Sequence, residues 1–139
     1  MARKKYIWGP GEPLPILDEH SETKHLIVSE YIKRYITTLM SDARIDRLEF
    51  TLVDAFAGGG AYSSALSNQI VDGSPIHMLK AVKEAEALLN IDRKKPRKVN
   101  AEYHFVERDR SSLNFLKNLV SETEFGIKTD ESIFFYQKQ

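Results

Sequence analysis

The feature that most constrains this chain is the run Leu52-Val53-Asp54-Ala55-Phe56-Ala57-Gly58-Gly59-Gly60-Ala61-Tyr62, in which a β-favouring stretch closes on an acid and enters three glycines. Phe50, Thr51, Leu52 and Val53 read as a buried strand. Glycine tolerates positive φ and leaves room for another backbone or a ligand where a Cβ would collide. A short helix is expected next, over residues 61–66, and the unpaired N–H groups of a helix start, helped by the dipole, attract carboxylate or phosphate. Strand, glycine turn and helix then form the anion-binding corner of a Rossmann-like α/β fold. The same triplet also serves as a tight turn with no ligand, and by itself it does not choose between the two. A dinucleotide turn wants G-x-G-x-x-G/A, and here the third small position is Ser63, which weakens a nicotinamide reading.

The segments before and after the turn follow from their punctuation and periodicity. Residues 1–20 combine Arg3-Lys4-Lys5, Tyr6 and Trp8 with Gly9, Pro10, Gly11, Pro13 and Pro15, which predicts an extended arm without regular helix or sheet. Basic residues beside aromatics suit nucleic acid, but packing of Tyr6, Ile7, Trp8 and Leu14 onto the domain is the favoured expectation. Ser21 is the expected cap of a helix over residues 22–40, where Leu26, Ile27, Tyr31, Ile32, Tyr35, Ile36, Leu39 and Met40 recur at three- and four-residue spacing. A helix in that place is expected to cover a sheet face. A polar loop over residues 67–72 leads to Gly73-Ser74-Pro75, a helix start with Ser74 as N-cap and Pro75 in the first turn. Residues 92–98, basic around Pro96, are expected to be a solvated connection, with phosphate contact as the alternative.

Residues 101–106 form a second expected strand, closing on Glu107, and an acid at that strand end suits a pair of ribose hydroxyls. Asp109 is the expected cap of a helix over residues 110–121, and residues 133–136 begin a third strand. The fold class is therefore α/β: an extended arm over residues 1–20, then over residues 21–139 a partial Rossmann-like domain with a parallel sheet in the spatial order three-two-one. In that order the first strand is central to a full sheet. With one neighbour missing it leaves an open edge, a template for self-association or for a second polypeptide. The chain has no cysteine, which excludes disulfides and thiolate metal sites, and its four histidines lie in different elements without metal spacing. Balanced charge argues against binding nucleic acid by bulk electrostatics. No signal peptide or membrane span is legible, so a cytoplasmic protein away from membranes is expected.

Asp54 followed by Phe56-Ala57-Gly58-x-Gly60 is similar to motif I of class I S-adenosylmethionine-dependent methyltransferases, often D-x-F-A-G-x-G. More broadly, Trp8, His20-Ser21-x-x-Lys24-His25, Tyr31, the glycine motif through Tyr62, Gly73-Ser74-Pro75 and Val106-Glu107-x-Asp109 resemble, in order, the N-terminal portion of the three-Cys-motif partner protein family of bacteria. The glycine motif and the Gly-Ser-Pro triad also resemble ribosomal-RNA adenine-N6 methyltransferases, which brings in nucleic acid as a substrate. The resemblance implies S-adenosylmethionine as cofactor, bound by Asp54, Phe56, Ala57, Gly58, Gly60, Tyr62, Ser74, Glu107 and Asp109. Asp54 would take the ammonium of the methionine part, the helix N-terminus its carboxylate, and Glu107 the ribose. It also implies a radical-enzyme-like partner with a three-cysteine motif. Gly59 stands where that family often has proline and Ala61 where it often has arginine, so a cation at the turn is missing. A class I sheet has seven strands with its catalytic motif after the fourth, and this sequence does not reach it; no catalytic residue is assigned. Two rivals stand beside methyl transfer, a non-catalytic interaction module serving the partner protein and a nicotinamide-dependent oxidoreductase.

Overall fold

A computed structural model describes residues 6–138. The basic run Arg3-Lys4-Lys5 lies outside the described residues. The elements, in order, are β1 (Ile16–Leu17), α1 (Glu19–Leu39), β2 (Arg47–Asp54), β3 (Ala61–Ser64), β4 (Ile70–Asp72), α2 (Ser74–Leu89), β5 (Lys98–Glu107), α3 (Arg110–Ser121), a 3-10 turn (Glu124–Lys128) and β6 (Ile133–Gln137). The protein is mixed α/β with three helices and two open, mostly parallel sheets, an arrangement compatible with a Rossmann-like fold without being specific to it.

The larger sheet has the order β2-β5-β6, all parallel, which is the expected three-two-one order. Strand β2 alternates: Leu48, Phe50 and Leu52 are half-buried against the core, while Arg47, Glu49, Thr51 and Val53 are exposed. It is thus a half-covered strand, not the fully buried one its apolar end implied. Register runs from Arg47 opposite Lys98 to Asp54 opposite Phe105, so β5 runs two residues beyond the end of β2. Helix α2 supplies Ile76, Leu79, Val82 and Ala85 to the main core, beside Phe105, Leu116, Val120 and Ile133.

The second sheet was not legible in the sequence. Residues 61–66, expected as a helix, instead form β3, which runs parallel to β1 and antiparallel to β4. The stretch Ala61-Tyr62-Ser63-Ser64 is poor in strong helix formers, and serine competes for backbone partners. Here the Ser64 hydroxyl accepts from Leu66 N and Ser67 N and donates to Glu22, 2.9 Å away, which fixes a turn, and Asn68 completes it at φ 58°. Part of the expected polar loop thereby becomes β4. The arm is extended as expected but is not free of sheet, because Ile16–Leu17 beyond the last proline pairs with Ser63 and Ser64. Trp8 and Leu17 are buried with Tyr62 in a second small core flanked by Tyr6 and Leu14, while Ile7 stays exposed.

Helix α1 starts earlier than expected, at Glu19, because Asp18 and not Ser21 is the cap: its carboxylate accepts from Ser21 N at 2.8 Å. The helix packs along α2 and buries only Ile32 and Ile36, followed by Met40 just past its end. Leu26, Ile27, Tyr31, Tyr35 and Leu39 remain exposed, so the apolar stripe is wider than the interface that covers it. The basic connection over residues 92–98 is also not wholly solvated. Arg97 is buried and donates to Met40 O, Asp42 O and Ile45 O at 2.7–2.9 Å, fastening the end of α1 and the loop before β2.

Candidate functional site

Because β5 runs two residues past the end of β2, the chain leaving β2 meets those last residues of β5. Ala57 N donates to Val106 O at 3.0 Å, and Gly58 N donates to Glu107 Oε1 at 3.1 Å. The other carboxylate oxygen of Glu107 accepts from Asp109 N at 2.6 Å. Two backbone amides therefore orient this half-buried carboxylate, and each oxygen keeps a second lone pair for a further donor. Asp109 itself caps α3 as expected, accepting from Ser112 N at 2.9 Å.

Asp54, 9% exposed, is held the same way: Oδ1 accepts from Phe56 N at 3.1 Å and Oδ2 accepts from the Ser74 hydroxyl. The second contact ties the end of β2 to the start of α2. Gly73 N donates to Gly60 O at 2.7 Å, and a Cβ at Gly73 would stand 3.0 Å from the Gly60 backbone, so any larger residue would push the two segments apart. The helix N-terminus at the corner is thus that of α2, brought back by the β3–β4 hairpin, and not one following the glycines directly. Gly73 is its N-cap, and Ser74, expected there, spends its hydroxyl on Asp54.

The glycine turn is left-handed at Gly58 (φ 66°) and Gly60 (φ 89°), yet the space it opens is filled by the protein itself. A Cβ at Gly58 would meet Trp8 at 3.0 Å and the Tyr62 hydroxyl at 3.2 Å, and one at Gly60 would meet Leu116 of α3 at 2.8 Å. At Gly59 it would lie 2.4–2.5 Å from three atoms of the Trp8 indole, which is laid across the turn. Trp8 is anchored by Nε1 donating to Ala61 O at 2.7 Å and by its carbonyl accepting from the Ser111 hydroxyl. Trp8 packs onto the domain as expected, and what sequence reasoning missed is that it covers Gly59 at the corner; the only signal was that an arm aromatic and a third consecutive glycine occur in the same chain.

The remaining predicted residues divide. Ala57 is buried in the main core, and Tyr62 is buried in the small one, its ring edge-on to Trp8 at 5.1 Å and to Tyr6 at 5.3 Å. Burial raises the Tyr62 phenol well above the ordinary tyrosine range, so it stays neutral. Phe56, by contrast, is 81% exposed beside the strand ends, with the Lys138 ammonium 5.4 Å from its ring centre. The structure thus gathers Asp54, Gly58, Gly60, Ser74 and Glu107 into one corner, places Phe56 at its mouth, and turns Ala57 and Tyr62 inward.

A feature beside the corner was also not foreseen. His25 of α1 and His77 of α2 face each other at 5.9 Å between ring centres, and His25 lies 6.1 Å from Tyr62. Both imidazoles are pulled below the ordinary histidine value, by burial first; for His25 the charge of His77 adds to this against the pull of Asp54, Asp18 and Glu22. Nδ1 of His25 is buried without a hydrogen-bond partner among the described residues. No group of three or more histidine or carboxylate side chains suited to a metal ion occurs among the described residues, and none of their helices is long and apolar enough to cross a membrane.

Chemically, the corner offers two oriented carboxylates at adjacent strand ends, a helix N-terminus close to one of them, and an exposed aromatic face. That combination takes hydrogen-bond donors and cations on the carboxylate side and a flat apolar group on the other. Comparison with protein-family models and with curated proteins finds no match to this chain.

Proposed function

We propose that the corner binds S-adenosylmethionine and that the chain is the cofactor-binding portion of a class I methyltransferase-type fold. The observation that carries this reading is the Glu107 carboxylate, held by Gly58 N and Asp109 N at the end of the strand beside the glycine turn. A carboxylate fixed in this way presents its free lone pairs to a ribose diol without paying for its own ordering. Asp54 and the first turn of α2 would hold the ammonium and carboxylate of the methionine part, and Phe56 would give the base an apolar wall. Because Trp8 and Tyr62 fill the glycine side, the ligand has to enter from the side of Phe56. Bound there, S-adenosylmethionine supplies an electrophilic methyl group on sulfur; the residues of this chain bind and align it. By the family resemblance, the acceptor class is nucleic acid and the partner a protein with a three-cysteine motif.

A second reading has its own observation. Trp8 accounts for the room around Gly58 and Gly59 with no ligand at all, as a non-catalytic interaction module would require. Calorimetric titration with S-adenosylhomocysteine and with NADH separates the readings. Binding of the first alone supports the proposal, binding of neither supports the module, and binding of NADH alone overturns both in favour of an oxidoreductase.

A further inference from the structure

Strand β2 pairs with β5 and, among the described residues, with nothing on its other side. Lys98 N donates to Asp46 O at 2.8 Å, and Arg47 stands opposite Lys98. In a parallel ladder this phase turns the N–H and C=O groups of residues 48, 50 and 52 toward β5. Those of Arg47, Glu49, Thr51 and Val53 consequently point out of the free edge. The exposed stripe of α1 adjoins the same edge: Tyr31 lies 6.5 Å from Tyr35, whose ring is 6.0 Å from Phe50. Open backbone groups and large exposed side chains thus form one continuous surface.

We propose that in the 139-residue chain this surface binds a second copy, through antiparallel pairing of the two β2 strands about a twofold axis at Phe50, so that the second copy takes the place a full class I sheet gives to its next strand. The sequence is the reason for choosing a second copy. Leu48-x-Phe50-x-Leu52 reads the same in both directions, so with Phe50 on the axis it faces itself and each Leu48 faces the other copy's Leu52. Cross-strand pairs of this kind are the stabilising unit of an antiparallel sheet. All four outward residues then find backbone partners. An axis at Glu49 would set two carboxylates directly opposite, which is unfavourable, and one at Leu48 would leave Leu52 and Val53 uncovered. A twofold axis normal to the sheet also keeps both α1 helices on one face, so that Tyr31, Tyr35 and Leu39 of each copy close over the join. A stable interface buries about 800 Å² per partner, and the strand edge needs this helical stripe to approach it. The chain's net charge of zero adds no long-range repulsion between copies.

The test is sedimentation equilibrium of the 139-residue chain at tens of micromolar. A mass of twice 15.9 kDa is expected, and a monomer overturns the proposal. Thr51→Pro removes an N–H that points out of the edge, so the fold should persist by circular dichroism while dimer affinity falls at least a hundredfold. A dimer unchanged in this variant is heterologous to the edge and also overturns it. If Thr51→Pro does not fold, Tyr35→Glu, on the exposed stripe, must give the same loss. Since the chain has no cysteine, a single Phe50→Cys should oxidise to a covalent dimer and a single Glu49→Cys should not; the reverse result refutes the Phe50 axis.

Discussion

At the scale of single residues the corner contains two kinds of group, those that brace the fold and those that keep spare bonding capacity. Glu107 belongs to the second kind. Its replacement by alanine should weaken S-adenosylhomocysteine binding by about 1.5–3 kcal/mol, the range for hydrogen bonds to a charged group, which titration reads as roughly a 10- to 150-fold rise in Kd. Unchanged affinity with an intact circular dichroism spectrum removes Glu107 from any site. Gly59 belongs to the first kind. Gly59→Ala forces a methyl into the Trp8 indole and should cost about 1–3 kcal/mol in thermal or urea unfolding, but much less in a Trp8→Ala background, where the obstruction is gone. Additive effects of the two substitutions would show that the contact does not set the requirement for glycine. The acids at the strand ends were legible in the sequence because strand and helix limits mark where a carboxylate must fall. The packing of Trp8 onto the domain was legible too, but not its place over Gly59, since nothing local ties residue 8 to residue 59.

Among the elements, the three strands of the larger sheet and the helices α2 and α3 could be read from periodicity, because each repeats its pattern over several turns or residues and carries a recognisable start or stop. The β3–β4 hairpin escaped because four- and three-residue strands hold too few positions to show a period, and their pairing with β1 depends on a segment more than forty residues earlier. Arg97 escaped for a related reason. It sits in a run of basic residues that looks solvated, and only the fold brings three carbonyls to it. Arg97→Met should leave those carbonyls short of donors and lower stability by about 1.5–3 kcal/mol in urea unfolding. Arg97→Lys should recover little, since one ammonium cannot reproduce the planar fork that reaches Met40, Asp42 and Ile45 together. Full recovery by lysine would mean that charge, and not geometry, fastens α1 to β2.

For the whole molecule, the arm, α1 and α2 converge on one region, where Tyr6, Trp8, Tyr62, His25 and His77 lie in ring contact. Two half-buried imidazoles make that region sensitive to acid. Their folded values lie below the unfolded value of 6.5, so as pH falls below about 6.5 the unfolded chain takes up protons first and stability declines; above it their contribution is complete. The urea midpoint should drop between pH 7 and pH 5, and the drop should shrink when His25 and His77 are both replaced by glutamine. An unaltered slope in that double variant would assign the acid response to other groups. The same convergence has an optical consequence. Trp8 is the only tryptophan in the chain, and its ring lies against the glycine turn with two tyrosines within 6.0 Å. The protein therefore carries its own fluorophore at the corner: the emission of Trp8, excited directly, reports the closure of that turn without a label and without a second tryptophan in the chain.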